Sequence, residues 1–446
     1  MQKLNLVLVS MIGVLVSTPS LAQSVSLDWS VVDRFRLFKA DSVPASMAAD
    51  PGLSIQDEFL EKLAASSIPT TPFPESGRYA IVSGFLGHIA HGRGPMDGHK
   101  PFEVTRWSGQ GPTAGQAPSA LRRYESDYLY PQAYAARVKA VGVTPGDQCV
   151  WETAKGTLPL PCSQAIIVPT PARTDHAGSM PTVVKVTVTH GGGGSVTSSV
   201  TIEIKDRLFI GLGESYASGE GNPDQPQHFD DPRFQEAARS YFSSNPDPYE
   251  RWWRDEKVLA TLTQPAQWWD PVCHRSLYSQ QANAAFLYAA ARPKEAVTFA
   301  AFACSGAEVL DGLIAGQVSP PGLADFGPPN HDANFKMVAQ VEQALSLLCR
   351  NNLAPDAERA SLEPVVQALG MDKKAKAAIL QSASVVEAKC AQPVDTAGRR
   401  KVDMVLISIG GNDVGFSGAV KTPCFPSRRA IRLASRYWQT SENCSV

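Results

Sequence analysis

Valine alternates with a polar residue along 184–189: Val184, Val186 and Val188 lie against Lys185, Thr187 and Thr189. After the glycine-rich stretch HGGGGS at 190–195 the same period returns, with Val200, Ile202 and Ile204 opposed by Thr201, Glu203 and Lys205. Period-two alternation on both sides of a flexible turn predicts a β-hairpin with one buried face. With the cysteine-flanked segment 149–162 ahead of it, 141–205 reads as the hairpin part of an Ig-like sandwich. The whole of 25–205 reads as a β-rich accessory region. Residues from about 40 to 135 carry many Pro, Gly and Ser and predict only irregular strands.

The pattern changes after Lys205. Residues 207–211 form a short apolar run, 296–303 a second and 402–409 a third. Between them, Ala282, Ala285, Phe286 and Ala289 recur at helical spacing within 279–292, as do Val338, Val341, Leu345 and Leu348; 375–389 predicts one more helix. Nearly all-apolar strands alternating with helices predict an α/β fold with a parallel, buried sheet covered on both faces. In such sheets ligands bind beyond the carboxyl ends of the strands.

Composition adds little to this picture. The 446 residues are 43% hydrophobic and 19% charged, with a formal net charge of −2, so no electrostatic footprint for nucleic acid or an anionic membrane stands out. The N-terminus changes more. Lys3, the apolar run 4–16 and Ser20-Leu21-Ala22 predict a signal peptide over 1–22 and a secreted or periplasmic protein. No later run is long and apolar enough to predict a transmembrane helix.

Eight cysteines, at Cys149, Cys162, Cys273, Cys304, Cys349, Cys390, Cys424 and Cys444, form no CxxC pair and so point away from zinc or thioredoxin-like sites. An oxidising compartment makes disulfides the expectation. Sequential pairing (149–162, 273–304, 349–390, 424–444) is the simplest scheme, although spacing alone does not fix connectivity.

The chemistry gathers at the strand ends. Residues 209–224 read FIGLGESYASGEGNPD, a strand running into Ser215 among Gly213, Gly219 and Gly221. Cys304-Ser305-Gly306-Ala307 follows the second apolar strand, and Gly410-Gly411-Asn412-Asp413 the third. A serine hydroxyl needs a base before it attacks. Attack on an ester then builds an oxyanion that aimed donors must stabilise. The N–H groups of Ser215 and Gly306 and the side-chain amide of Asn412 suit that task. Taken singly, Ser215 could be a helix cap or part of an anion-binding loop, and GLG faintly suggests a dinucleotide turn. No acidic residue is placed to bind a ribose, and no cofactor is expected.

This ordered set resembles the SGNH (GDSL-type) hydrolase family, of the secreted, disulfide-containing esterase and lipase type. GESYASGEGNPD is similar to the first block, with Glu214 where GDS-type members carry aspartate, a change taken to leave the nucleophile untouched. CSGA is similar to the second block and GGND to the third. Cys273-His274-Arg275-Ser276 with Tyr278 resembles a segment that secreted members carry between the first two blocks. The resemblance covers roughly 206–420. It implies a flavodoxin-like three-layer α/β/α sandwich over 206–446, behind the accessory region, and hydrolysis of a small-molecule, lipid or acylated-sugar ester. It makes Ser215 the nucleophile, with Gly306 and Asn412 completing the oxyanion hole.

The family's C-terminal DxxH block, which supplies the catalytic His and Asp, has no counterpart here. The eight histidines, at 88, 91, 99, 176, 190, 228, 274 and 331, all precede Asn412. The hydrolase-like domain is therefore expected to be C-terminally incomplete. Losing the histidine of a serine hydrolase costs on the order of 10⁶ in kcat. His274, beside a cysteine expected in a disulfide, is the internal substitute considered, ahead of His331 and His228. Asp224, Asp230 and Asp231 fit no EF-hand spacing and read as a solvated acidic loop. The pairs Trp252-Trp253 and Trp268-Trp269 suit either packing under a loop or stacking on sugar or lipid. The alternative function is a non-catalytic carbohydrate- or surface-binding protein built on a degenerate hydrolase domain. Oligomeric state is not legible.

Overall fold

The structure, a computed structural model, describes residues 24–39, 43–65, 104–108, 123–125, 127–224, 236, 268–270, 272–317, 338–349 and 400–411. Up to the expected hairpin the chain forms β1 (Ser26–Val31), β2 (Ala48–Ala49), α1 (Ile55–Ala65), β3 (Trp107–Ser108), β4 (Arg123–Tyr124), β5 (Ala133–Val141), β6 (Gln148–Thr153), β7 (Gly156–Pro161), β8 (Ile166–Pro171), β9 (Thr182–Thr189) and β10 (Ser195–Ile202). Beyond it come β11 (Lys205–Gly213), α2 (Ser215–Ser218), α3 (Gln280–Ala291), β12 (Glu295–Ala301), α4 (Gln340–Leu348) and β13 (Met404–Ser408).

The valine alternation folds as expected. β9 and β10 pair antiparallel, with Val184 opposite Val200 and Val186 opposite Ser198. β9 turns Val184, Val186 and Val188 inward. The full sheet runs β10-β9-β6-β7, and a second antiparallel sheet runs β1-β5-β8-β2. Val31, Val138 and Ile166 from one sheet meet Trp151, Val184 and Val186 from the other in a single apolar core. The Cys149–Cys162 disulfide joins β6 to the residue that follows β7.

The second unit of structure is a small parallel sheet in the order β12-β11-β13. β11 lies at its centre and is longer than the apolar run 207–211 predicts, because its ladder with β12 begins at Lys205↔Glu295. Phe209 meets Tyr288 of α3 edge to face, and a Cβ at Gly211 would collide with Gln281 of α3, so this face of β11 carries that helix. Leu208, Ile210 and Leu212 alternate to the opposite face, as strand geometry requires. Ser279 caps α3 by accepting from the Ala282 N–H at 3.1 Å.

Three features depart from the sequence expectation. α1 forms inside the stretch expected to hold only irregular strands: Gln56, Leu60 and Leu63 make a short buried stripe against the same core as α3. Residues 34–36 run along the outer edge of β12, where the Val297 N–H donates to the Arg34 carbonyl at 2.7 Å and Arg36 N to the Val297 carbonyl at 2.8 Å. Finally, β13 was expected to be buried, yet Met404, Val405 and Ile407 are exposed. Among the described residues no strand pairs with its second edge. The helix expected at 375–389 lies outside the described residues.

A buried polar cluster ties these parts together. The fully buried Asp206, at the start of β11, accepts from Arg36 at 2.8 Å and pairs with Arg400 at 2.7 Å. Thr298 of β12 and Tyr134 of β5 also donate to it, at 2.9 Å and 3.0 Å. Burial by itself pushes a carboxyl up, but Arg400 and Arg36 outweigh it and hold Asp206 below the usual carboxylate range. Among the described residues no helix is long and apolar enough to cross a membrane.

Candidate active site

Because β11, β12 and β13 are parallel, their carboxyl ends share one rim, and the three sequence motifs leave from it. Backbone bonds cross-link the three turns. Glu214 N donates to the Ser408 carbonyl at 2.9 Å, and Cys304 N donates to the Gly213 carbonyl at 3.0 Å.

The first turn depends on glycine. Gly213 has φ +139°, and a Cβ there would sit 2.0 Å from the Ser408 carbonyl oxygen. Ser215 then opens the short helix α2. Glu214 is its N-cap and is almost fully buried; its carboxylate accepts from the Tyr216 N–H at 3.2 Å and from the Ser215 hydroxyl. The Glu214 carboxylate thus touches Ser215 directly, where the sequence reading takes position 214 to leave the nucleophile untouched. Among the described residues no lysine or arginine pairs with this carboxylate.

The second turn holds Gly306 with φ +78°. It is pinned on both sides: Ser305 N donates to the Cys273 carbonyl at 3.1 Å, and Gln317 Nε2 donates to the Ser305 carbonyl at 2.9 Å. Among the described residues neither the Ser215 N–H nor the Gly306 N–H donates to a protein acceptor, although both residues are partly exposed. In the third turn Gly410 and Gly411 are described, and a Cβ at Gly411 would lie 4.0 Å from the Glu214 carboxyl carbon. Asn412 lies outside the described residues.

Segment 272–279 packs under the first two turns. The expected Cys273–Cys304 disulfide forms and joins it to the second turn. Ser276 N donates to the Ser218 carbonyl at 2.9 Å, and Gly219 (φ +103°) lets Ser276 approach. Arg275 pairs with Asp270 at 2.6 Å and donates to the carbonyls of Ala303 and Phe302 at 2.8 Å and 3.1 Å. Cys349 is also disulfide-bonded, whereas Cys390, Cys424 and Cys444 lie outside the described residues.

His274 is buried, has φ +50°, and stacks on the indole of Trp268 with ring centroids 3.9 Å apart. Its Nδ1 lies 2.8 Å from Glu220 Oε2. Ser215 is not among its contacts. His228, His331, Trp252 and Trp253 lie outside the described residues. Asp224 contradicts the solvated-loop expectation. It is fully buried and accepts from Trp269 N at 2.7 Å, Leu277 N at 2.8 Å and Ser276 Oγ at 3.3 Å. Those donors come from a segment too distant in sequence for loop composition to reveal. Asp230 and Asp231 lie outside the described residues, among which no group of three metal-ligating side chains occurs.

Sequence reasoning missed the buried glutamines that clamp the rim. Gln281 Nε2 donates to the carbonyls of Leu212 and Leu406, at 2.8 Å and 3.0 Å, and Gln340 bonds both polar groups of the Gly213 backbone. Each lies in the first turn of a helix that periodicity does predict. A polar residue on the sheet-facing side of such a helix is the one available signal. No protein-family model matches the chain, and no curated protein or solved structure is significantly similar to it.

Proposed function

We propose that this protein is an exported serine ester hydrolase of SGNH type, acting on a small-molecule, lipid or acylated-sugar ester. Ser215 is the nucleophile, and the N–H groups of Ser215 and Gly306 with the Asn412 amide form the oxyanion hole. The observation that carries this reading is that the N–H groups of Ser215 and Gly306, two partly exposed residues at one sheet rim, donate to no protein acceptor among the described residues. Donors left free beside a serine are what a developing oxyanion requires. The strand order β12-β11-β13, second-first-third in sequence, supports a flavodoxin-like three-layer arrangement, whose order begins 2-1-3. The two antiparallel sheets with their shared core support an Ig-like accessory module that places the enzyme on its substrate. The disulfides support export to an oxidising compartment.

The test is covalent labelling with a fluorophosphonate probe, mapped by peptide mass spectrometry, alongside hydrolysis of p-nitrophenyl esters. Label on Ser215 that is lost in Ser215→Ala is expected. Esterase activity that survives Ser215→Ala overturns the assignment. One observation favours a second reading: the ring of His274 is engaged by Glu220 and Trp268 instead of Ser215. A binding protein on a hydrolase-like scaffold would be retained on polysaccharide or cell wall with Ser215 unlabelled.

A further inference from the structure

We propose that Glu214 is the proton acceptor for Ser215, so that a serine–glutamate pair performs the acid–base work. This rests on the hydrolase reading above. The Ser215 hydroxyl donates to Glu214 Oε2, the one side-chain contact of that hydroxyl among the described residues. Glu214 is 3% exposed, and its backbone is held on both sides. Its N–H donates to the Ser408 carbonyl, its carbonyl accepts from Ser218 N at 3.0 Å, and a Cβ at Gly411 would lie 4.0 Å from its carboxyl carbon. The groups that face it are Ser215 and Tyr216 of its own turn and Ser408 and Gly411 of the β13 turn; Gln340 of α4 holds the adjoining Gly213. Among the described residues no charged side chain of these elements contacts it.

The proton balance closes within the pair. The Ser215 O–H bond breaks, its proton passes to Glu214 Oε2, and the Oγ electron pair forms the bond to the ester carbon while the carbonyl pair moves onto oxygen. Collapse expels the alkoxide, which takes the proton back from Glu214. In deacylation a water gives its proton to Glu214 as its oxygen attacks the acyl carbon. The acid leaves, and the proton returns to Ser215 Oγ.

A helix cap alone explains the Tyr216 bond but not a proton-transfer role, and the two separate cleanly by experiment. The rate of Ser215 labelling by a fluorophosphonate is measured against pH in the full chain, in Glu214→Gln, Glu214→Asp and His274→Ala. Glu214→Gln is expected to label 10²- to 10⁴-fold more slowly, roughly the range for loss of a general base. His274→Ala is expected to label at the wild-type rate. Glu214→Asp, which still caps and still carries a carboxylate, recovers part of the rate. It serves as the check if Glu214→Gln fails to fold. Wild-type labelling at Ser215 that is indifferent to Glu214 overturns the pair and leaves the hydrolase reading standing. No labelling of Ser215 in the wild type at any pH overturns both.

Discussion

Gln340 bonds both polar groups of the Gly213 backbone: its Oε1 accepts the Gly213 N–H at 2.8 Å, and its Nε2 donates to the Gly213 carbonyl at 2.7 Å. The two residues are 127 positions apart, and the contact fixes the last strand residue before the Ser215 turn. Gln340→Glu keeps the acceptor but turns a second oxygen toward a carbonyl in a buried site. Leaving buried polar groups unsatisfied costs about 1–3 kcal/mol, and more when a charge is involved. Gln340→Glu is therefore expected to destabilise more than Gln340→Met, measured by urea denaturation. Equal losses would show that the acceptor kept by Gln340→Glu offsets the repulsion between its second oxygen and the Gly213 carbonyl.

Gly213→Ala should be among the most damaging single-methyl changes in the molecule. The new Cβ would meet the Ser408 oxygen at 2.0 Å and the Ala217 Cβ at 2.8 Å, at a backbone φ of +139° that side-chain-bearing residues avoid. Strained backbone of this kind costs on the order of 1–3 kcal/mol before the clash is counted. Gly221→Ala is the control, because φ is also positive there (+81°) but nothing lies within 4 Å of the added methyl. Denaturation midpoints should fall much further for position 213 than for 221. A matching fall at both would mean that the close contact with Ser408 is relieved at little cost.

The elements that were legible in the sequence are those whose signal is local. The valine alternation of β9, the apolar runs of β11 and β12, and the helical spacing in α3 and α4 each report a face that one neighbour buries. Glycines around Ser215 and Gly306 marked the turns for a similar reason, since positive φ is a property of a single residue. What was not legible depends on partners far along the chain. Asp224 looks solvated beside Pro223 and Gln225 and is buried only because Trp269 and Leu277 return to it. Arg36 is an ordinary surface residue until Asp206 arrives, 170 positions later. β13 reads as buried from its apolar run, but the exposure of its side chains is set by what packs on the two faces of the sheet, which the run itself does not encode.

The Asp206 cluster contains two guanidinium groups around one carboxylate, so its members are unequal. Asp206→Asn leaves Arg36 and Arg400 facing each other without an anion. Removing one partner of a buried ion pair typically costs about 3–5 kcal/mol. Arg36→Met removes a cation, yet Asp206 still has Arg400 at 2.7 Å, with Thr298 and Tyr134 donating to it. The expected order of destabilisation is Asp206→Asn well above Arg36→Met. The reverse order in urea denaturation would place the main weight of the cluster on the Arg36 packing against Tyr128 and Tyr134.

Asp206 and Asp224 give stability opposite dependences on pH. Asp206 is held below the usual carboxylate range, so its contribution is present above about pH 4, the unfolded value, and is lost as acid protonates it in the folded chain. Asp224 is pushed up to about 7, because complete burial outweighs the bonds from Leu277, Trp269 and Ser276. The folded chain therefore binds a proton at Asp224 that the unfolded chain, with a pKa of about 3.9, has already released. That contribution is full below about pH 4 and lost as pH rises through 7. The contacts at Trp269 and Leu277, which flank His274 and the Cys273–Cys304 bridge beneath the Ser215 turn, should loosen between about pH 4 and 7. Amide hydrogen exchange at Trp269 and Leu277, corrected for intrinsic rates, is expected to lose protection over that range in the wild type. Asp224→Asn removes the titration and should flatten the profile. An unchanged pH profile in Asp224→Asn would mean that the three donors hold the carboxylate ionised throughout, and that hydrogen bonding rather than burial sets its charge.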